Sequence, residues 1–254
     1  MEIVEQGECF VEKDNDFVFG HTKIILRRKD DGKYFFARSP GRMDTVTPDN
    51  IKGPELIEIP AEIIWPVFNS KFTQASQPLP ERTYVKRPRL LVYDDAPASQ
   101  EYSKQLLREI DICELLAKHP HPNLVEYLGC VVEEGRMVGL CLKRYDMTLW
   151  EKVDSGVAFD RKSCLQGIED GLNHLHRLGL IHNDLNPRNI MVDKDGAHPV
   201  IIGFDSCRRE GEELGLKGGI AGWGKEGITH ASRENDFYAL SLIRGFLMKE
   251  NLRN

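Results

Sequence analysis

Apolar side chains recur along this chain with two different periods, and the alternation between them predicts an α+β protein. Phe17-Val18-Phe19 and Lys23-Ile24-Ile25-Leu26 precede the turn Asp30-Asp31-Gly32, and Tyr34-Phe35-Phe36 follows it. That order predicts a β-hairpin over 17–38. Residues 39–82 are rich in Pro, Asn, Gly and Ser, with one apolar patch at Ile63-Ile64-Trp65, and read as loop with short elements. Strand patterns return at 83–86 and 90–93. A helix is expected over 99–118, where Leu106, Leu107, Ile110, Cys113 and Leu116 recur at helical spacing before His119-Pro120-His121-Pro122 stops it. Two strands follow at 124–132 and 137–142, joined by Glu133-Glu134-Gly135. A second helix over 162–178 carries Leu165, Ile168, Leu172, Leu175 and Leu178 on one stripe. Strands at 190–192 and 200–202, a glycine-rich loop at 211–227 and a last helix beginning near Asn235 complete the pattern, which holds no internal repeat.

Composition narrows the function more than the fold. The 254 residues suffice for one large domain or two modest lobes around a cleft. Thirty-four Lys and Arg against forty Asp and Glu give a net charge of −6, which argues against a dedicated nucleic-acid binder. No stretch has the apolar length of a signal peptide core or a membrane helix, so no membrane role is expected. The six cysteines are scattered without a C-x-x-C pair, the pattern of reduced thiols in a cytoplasmic or nuclear protein. The eight histidines form no metal set.

The densest chemical signal is Ile181-His182-Asn183-Asp184-Leu185-Asn186-Pro187-Arg188-Asn189-Ile190-Met191-Val192. Phosphoryl transfer needs a carboxylate to orient the acceptor hydroxyl and a metal held near the phosphates. An Asp followed five residues later by an Asn lets one tight loop present both groups. This segment is similar to the H-R-D-x-x-x-x-N catalytic loop of protein kinases. The resemblance runs over roughly residues 83–247 and is to fungal protein kinase-like proteins in particular. It implies that Asp184 orients the hydroxyl and that Asn189 serves the nucleotide and its metal. Asn183 stands where the family has an Arg that pairs with a phosphorylated activation loop, which implies that this chain is not switched that way. Asn186 replaces a Lys that steadies the transferring phosphate. Arg188, four residues after Asp184, implies charge kept near the γ-phosphate.

The metal position departs from the family. Where Asp-Phe-Gly is expected, the chain reads Gly203-Phe204-Asp205, and Gly offers a hard cation no ligand. One reading is lost Mg²⁺ binding. The other has Asp205 substituting, since residues 203 and 205 point the same way in an extended segment, with the carboxylate displaced by about 6–7 Å. The nucleotide-anchoring pair is expected to be Lys86, at the end of Tyr84-Val85-Lys86, and Glu109 on the following helix, 23 residues on. No glycine loop precedes Lys86. Gly222-Trp223-Gly224-Lys225-Glu226-Gly227 has the spacing of one but follows a loop rather than opening a lobe. Asn235-Asp236-Phe237-Tyr238-Ala239-Leu240 resembles the start of the kinase helix whose Asp braces the catalytic loop. No Ala-Pro-Glu is recognisable.

The resemblance therefore implies a two-lobed α+β kinase-like fold with an atypical N-lobe and a shortened C-lobe. Its parts are an extension with a hairpin at 1–82, an N-lobe at 83–146 and a truncated C-lobe at 147–254. The expected function is an ATP-dependent protein kinase-like phosphotransferase, Ser/Thr-type or atypical, using ATP and Mg²⁺ on a protein substrate, with catalysis impaired if Gly203 costs the metal. Two alternatives stand beside it: a non-catalytic pseudokinase acting as a protein-binding module, and a small-molecule phosphotransferase of the same fold.

Overall fold

The computed structural model describes residues 1–13, 16–47, 51, 56–93, 102–214, 222–224 and 227–248. The chain divides into two compact units. The first comprises Met1–Asn69, Arg87–Leu107 and Val132–Gly139, the second Ser70–Lys86, Arg108–Val131 and Leu140–Asn254.

The first unit is built on an antiparallel sheet of β1 (Glu2–Lys13), β2 (Asp16–Arg27), β3 (Tyr34–Ser39) and β4 (Ile57–Ile59), in that spatial order. The expected hairpin is β2 and β3, paired in the register Ile24↔Ala37, Ile25↔Phe36 and Leu26↔Phe35. Its apolar runs are continuous rather than alternating because both faces are covered. Ile24, Leu26, Phe35 and Ala37 pack with Val46 on one face. Ile25 and Phe36 pack with Ile59, Ile64, Leu90, Tyr93 and Tyr102 on the other. Strand β1 had no sequence signal beyond its acidic character. It adds to β2 through two register shifts, and the Glu5 carboxylate accepts from the backbone N–H groups of Leu90 and Leu91 at 3.0 and 3.2 Å. Those bonds belong to a 3-10 turn at Leu90–Val92, where the pattern had predicted a strand. The proline at 88 removes a donor that a ladder would need. A short helix, α1 (Ala61–Ile64), buries Ile64 in the second cluster.

Strand β5 (Thr83–Lys86) lies beside β7 (Arg136–Lys143), which neighbours β6 (Tyr127–Glu133), and helix α2 is Tyr102–Lys118. The helix start expected at 99 lies outside the described residues. In the second unit Lys86 pairs with Leu140 and Val85 with Cys141. Gly129 on β6 has φ +116, and a Cβ there would stand 2.6 Å from the Ala75 backbone nitrogen, so only glycine fits.

The rest of the second unit follows in chain order. Strand β8 (Met147–Thr148) leads into α3 (Leu149–Asp154) through a capping box in which Thr148 and Glu151 exchange hydrogen bonds. Helix α4 (Arg161–Arg177) is capped by Asp160 and buries Leu165, Ile168, Leu172 and Leu175 of the stripe read from the sequence, while Leu178 lies just past its end as the C-cap. Short strands β9 (Leu180–Ile181), β10 (Ile190–Val192), β11 (Val200–Ile201) and β12 (Arg208–Arg209) follow. β10 lies between β11 and β8, and β9 pairs with β12. Helix α5 (Arg233–Met248) buries Asp236, Ala239, Ile243 and Leu247 at helical spacing. All six cysteines are free thiols, five of them buried. No helix among the described residues is long and apolar enough to cross a membrane.

Candidate active site

The loop between β9 and β10 is held by a buried carboxylate. Asp236, fully inaccessible on α5, accepts from the backbone N–H groups of His182 and Asn183 and from His176 Nε2, each at 2.8 Å. The helix read from Asn235-Asp236-Phe237 thus reaches the loop as the resemblance implied. What sequence reasoning missed is His176. Its place on the same buried stripe as Leu172 and Leu175 was the available signal. The His176 Nδ1 atom is buried without a hydrogen-bond partner, so the proton sits on Nε2, facing Asp236.

His182 is fixed in the same way. Its Nε2 lies 2.9 Å from the Ile202 carbonyl, which can only accept, so Nε2 carries the proton. Nδ1 is then the acceptor for the Asp184 N–H at 3.3 Å. The ring packs edge-on against the buried Phe204 at 5.3 Å. Asn183 has φ +62, a left-handed conformation that Asn tolerates better than most side chains. Its amide donates to Ile181 O at 3.1 Å and Ser206 O at 3.3 Å, while its oxygen accepts from Asn235 at 3.0 Å.

Two asparagines grip Asp184. Asn189 Nδ2 donates to the Asp184 carbonyl and to Oδ2, both at 2.8 Å. Asn186 Nδ2 donates to the same carbonyl at 2.9 Å and to Oδ1 at 3.2 Å, and its own oxygen accepts from Arg188 N at 2.9 Å. Asn186 is only 1% exposed, so its amide is spent inside the loop. The Arg188 guanidinium lies over the Trp150 ring at 4.8 Å, a cation–π contact.

The lysine and its expected partner meet. Lys86 Nζ donates to Glu109 Oε1 at 2.6 Å, and Asp205 Oδ1 stands 3.8 Å from the same nitrogen. Burial works against the charge on Lys86, but Glu109 and then Asp205 outweigh it, and the ammonium pKa lies above its ordinary value. The other lysine with a strand pattern, Lys23, sits over the Phe36 ring at 4.8 Å in the first unit.

The segment 203–205 is not extended, which corrects the premise that residues 203 and 205 point the same way. Gly203 takes φ +79 and ψ +64, and Phe204–Ser206 form a 3-10 turn. A Cβ at Gly203 would lie 2.8 Å from Asn189 Oδ1. The glycine-spaced segment at 222–227 lies partly outside the described residues.

Residues 92–216 match the protein kinase domain. Over that segment the chain is protein kinase-like. A serine/threonine-protein kinase/endoribonuclease IRE1 of Hypocrea jecorina is 30% identical over 158 residues, 55% of this chain and 12% of that protein. A mitogen-activated protein kinase kinase kinase, bck1, of Aspergillus fumigatus is 32% identical over 117 residues, 42% of this chain and 7% of that one. Mitogen-activated protein kinase kinase kinase 1b of Physcomitrium patens is 29% identical over 161 residues, 58% and 19% respectively. The chain thus spans less than a fifth of each of these relatives. Lys86 and Asp236 lie outside the matched kinase segment, so their placement rests on the structure alone.

Kinase-like proteins work with ATP and magnesium. The donors here do not fit the ion. Gly203 supplies none, the Asn189 amide fills the space where a side chain at 203 would begin, and Asp205 stands against Lys86. Among the described residues no three His, Cys, Asp or Glu side chains gather as a metal-binding group. Magnesium wants near-octahedral oxygen ligands, with at least one carboxylate placed beside the phosphates.

Proposed function

We propose that this chain is a protein kinase-like phosphotransferase with weakened catalysis, which takes ATP and presents its terminal phosphate to a hydroxyl of a protein. The observation that carries this reading is the Lys86–Glu109 pair at 2.6 Å, formed in the same compact unit as a fully hydrogen-bonded Asp184 loop. Lys86 holds the phosphates as a cation kept charged by its neighbours, and Glu109, almost wholly buried, fixes its direction. Asp184 acts as the acceptor for the hydroxyl proton. The two asparagine amides that donate to its oxygens set its aim. Asn186 and Asn189 are positioning residues for Asp184 in this scheme. Arg188, exposed and stacked on Trp150, supplies positive charge near the transfer.

The absent carboxylate at 203 is the specific ground for weakness, since developing charge on the phosphates then has fewer fixed counter-charges. It equally supports a second reading, a pseudokinase that binds partners without chemistry. Phosphate transfer from labelled ATP to a generic basic protein separates the two. The phosphotransferase reading expects slow transfer that Asp184→Asn and Lys86→Ala abolish. Transfer that survives Asp184→Asn, or none above background from well-folded protein, refutes it.

A further inference from the structure

The lysine proposed to hold phosphates already has an anion on either side. Glu109 is its close partner, and Asp205 brings a second carboxylate to 3.8 Å. Asp205 is placed there by its turn rather than by chance of rotamer. Phe204 before it is buried against His182, Ser206 after it is tied to Asn183, and Arg208 donates to the Asp205 carbonyl at 3.1 Å. Gly203 starts that turn with a backbone conformation that hands the carboxylate towards Lys86. The group is also half open to solvent: the Asp205 side chain is 35% exposed and that of Lys86 is 28% exposed, whereas Glu109 is 7% exposed. Glu109 therefore braces the lysine from the buried side, and Asp205 stands on its solvent-open side.

We infer that Asp205 is a built-in competitor for the phosphate subsite, a carboxylate that occupies Lys86 in place of a nucleotide phosphate and keeps affinity for polyphosphates low. The inference rests on the nucleotide-binding reading of Lys86. One cation between two carboxylates leaves the cluster with net negative charge, so an incoming polyphosphate must displace Asp205 or bind beside it against repulsion. Either route costs affinity that a neutral side chain at 205 would restore. This assigns Asp205 the opposite effect to a metal ligand, whose removal weakens nucleotide binding.

The test is calorimetric titration of ATP and of ADP, with EDTA present, into the full chain and into Asp205→Asn, Asp205→Ser, Lys86→Ala and the Asp205→Asn/Lys86→Ala double variant. Unliganded melts establish that each variant is folded. Removing one full charge beside a bound polyphosphate, at an effective dielectric constant of about 20, predicts binding tighter by about tenfold or more in both Asp205 variants. The gain should be larger for ATP than for ADP and should vanish in the double variant. Wild-type protein that binds ATP while both Asp205 variants bind equally or more weakly overturns the inference and leaves the nucleotide reading intact. A gain that survives loss of Lys86 overturns it too, because the competition is for that ammonium. If no variant binds either nucleotide, the nucleotide reading falls and the inference with it. A parallel ATP titration with Mg²⁺ in place of EDTA completes the test: an Mg²⁺-dependent increment in wild type that Asp205→Asn loses would make Asp205 a metal ligand and overturn the inference.

Discussion

Asp236→Ala should be among the most damaging single changes in this chain, although residue 236 touches no proposed reacting group. The carboxylate is fully buried and takes three hydrogen bonds at 2.8 Å, two from backbone amides of the catalytic loop and one from His176. A hydrogen bond to a charged group contributes about 1.5–3 kcal/mol, and a buried donor left without an acceptor costs about 1–3 kcal/mol. Three such donors would suggest as much as about 9 kcal/mol, but the carboxylate's own desolvation offsets part of that. The net loss expected is about 3–5 kcal/mol, the range for breaking a buried charged network. His176 offers no relief, since its other nitrogen is already buried and unpartnered. Asp236→Asn refines the estimate. The amide can keep its oxygen where Oδ2 accepts from His182 N and His176, but its NH₂ group then faces the Asn183 N–H. One donor is lost rather than three, and about 2 kcal/mol should go. Tyr238→Ala, at an exposed position on the same helix, is the control and should stay within about 0.5 kcal/mol. Urea unfolding measures all three, and hydrogen exchange at the 182 and 183 amides should accelerate in both Asp236 variants. If Asp236→Ala and Asp236→Asn both lie within about 1 kcal/mol of wild type, the brace is not what holds this loop.

Gly203→Ala should destabilise by about 1–3 kcal/mol, because φ is +79 and the new Cβ would meet Asn189 Oδ1 at 2.8 Å; a neutral result in urea unfolding would mean the left-handed turn is not retained in solution. Thr148→Ala should cost about 1 kcal/mol by opening the capping box of α3. Backbone and side-chain hydrogen bonds from Thr148 hold the Glu151 carboxyl below its ordinary value of 4.5, so this contribution is present above that pH and is lost as the pH falls through the lower folded value. Melts of wild type and Glu151→Gln should therefore differ near neutrality and converge in acid; a gap that stays constant to low pH would contradict the cap.

What the sequence revealed was chemistry that depends on spacing. Asp184 and Asn189, five residues apart, share one loop, and Lys86 finds Glu109 across 23 residues because a strand and a helix are each regular enough to carry a side chain to a calculable place. The hairpin of β2 and β3 was visible in Ile24-Ile25-Leu26 and Tyr34-Phe35-Phe36. Three features were not legible, each for a physical reason. Strand β1 is half-polar at the sheet edge, so its partner, not its own pattern, makes it a strand. The segment 90–93 is apolar enough for a strand, but its amides go to Glu5, a contact across 85 residues in sequence. The direction of Asp205 depends on a positive φ at Gly203, and a glycine permits that conformation without announcing it.

Two of the departures from the kinase pattern, at 183 and 203, share a backbone property. Asn183 and Gly203 both sit at positive φ, at +62 and +79, where Asn and Gly are the residues with the smallest backbone penalty. Each replacement therefore keeps the main-chain path while deleting a charge, a cation at 183 and an anion at 203. The path is what the buried network needs: Asp236 accepts from His182 N and Asn183 N, and the Asn183 amide donates to the Ser206 carbonyl, so α5, the loop and the 3-10 turn are joined through main-chain atoms set by that path. Charge is what the proposed phosphate site needs, and there Asp205 stands 3.8 Å from Lys86 while residue 203 offers no carboxylate. A chain that had merely decayed would be expected to lose buried hydrogen bonds as readily as exposed charges. Here Asp236 keeps all three of its hydrogen bonds while the replacements at 183 and 203 fall on charged side chains of the kinase pattern, as expected where the loop's support is retained and only its charges have changed.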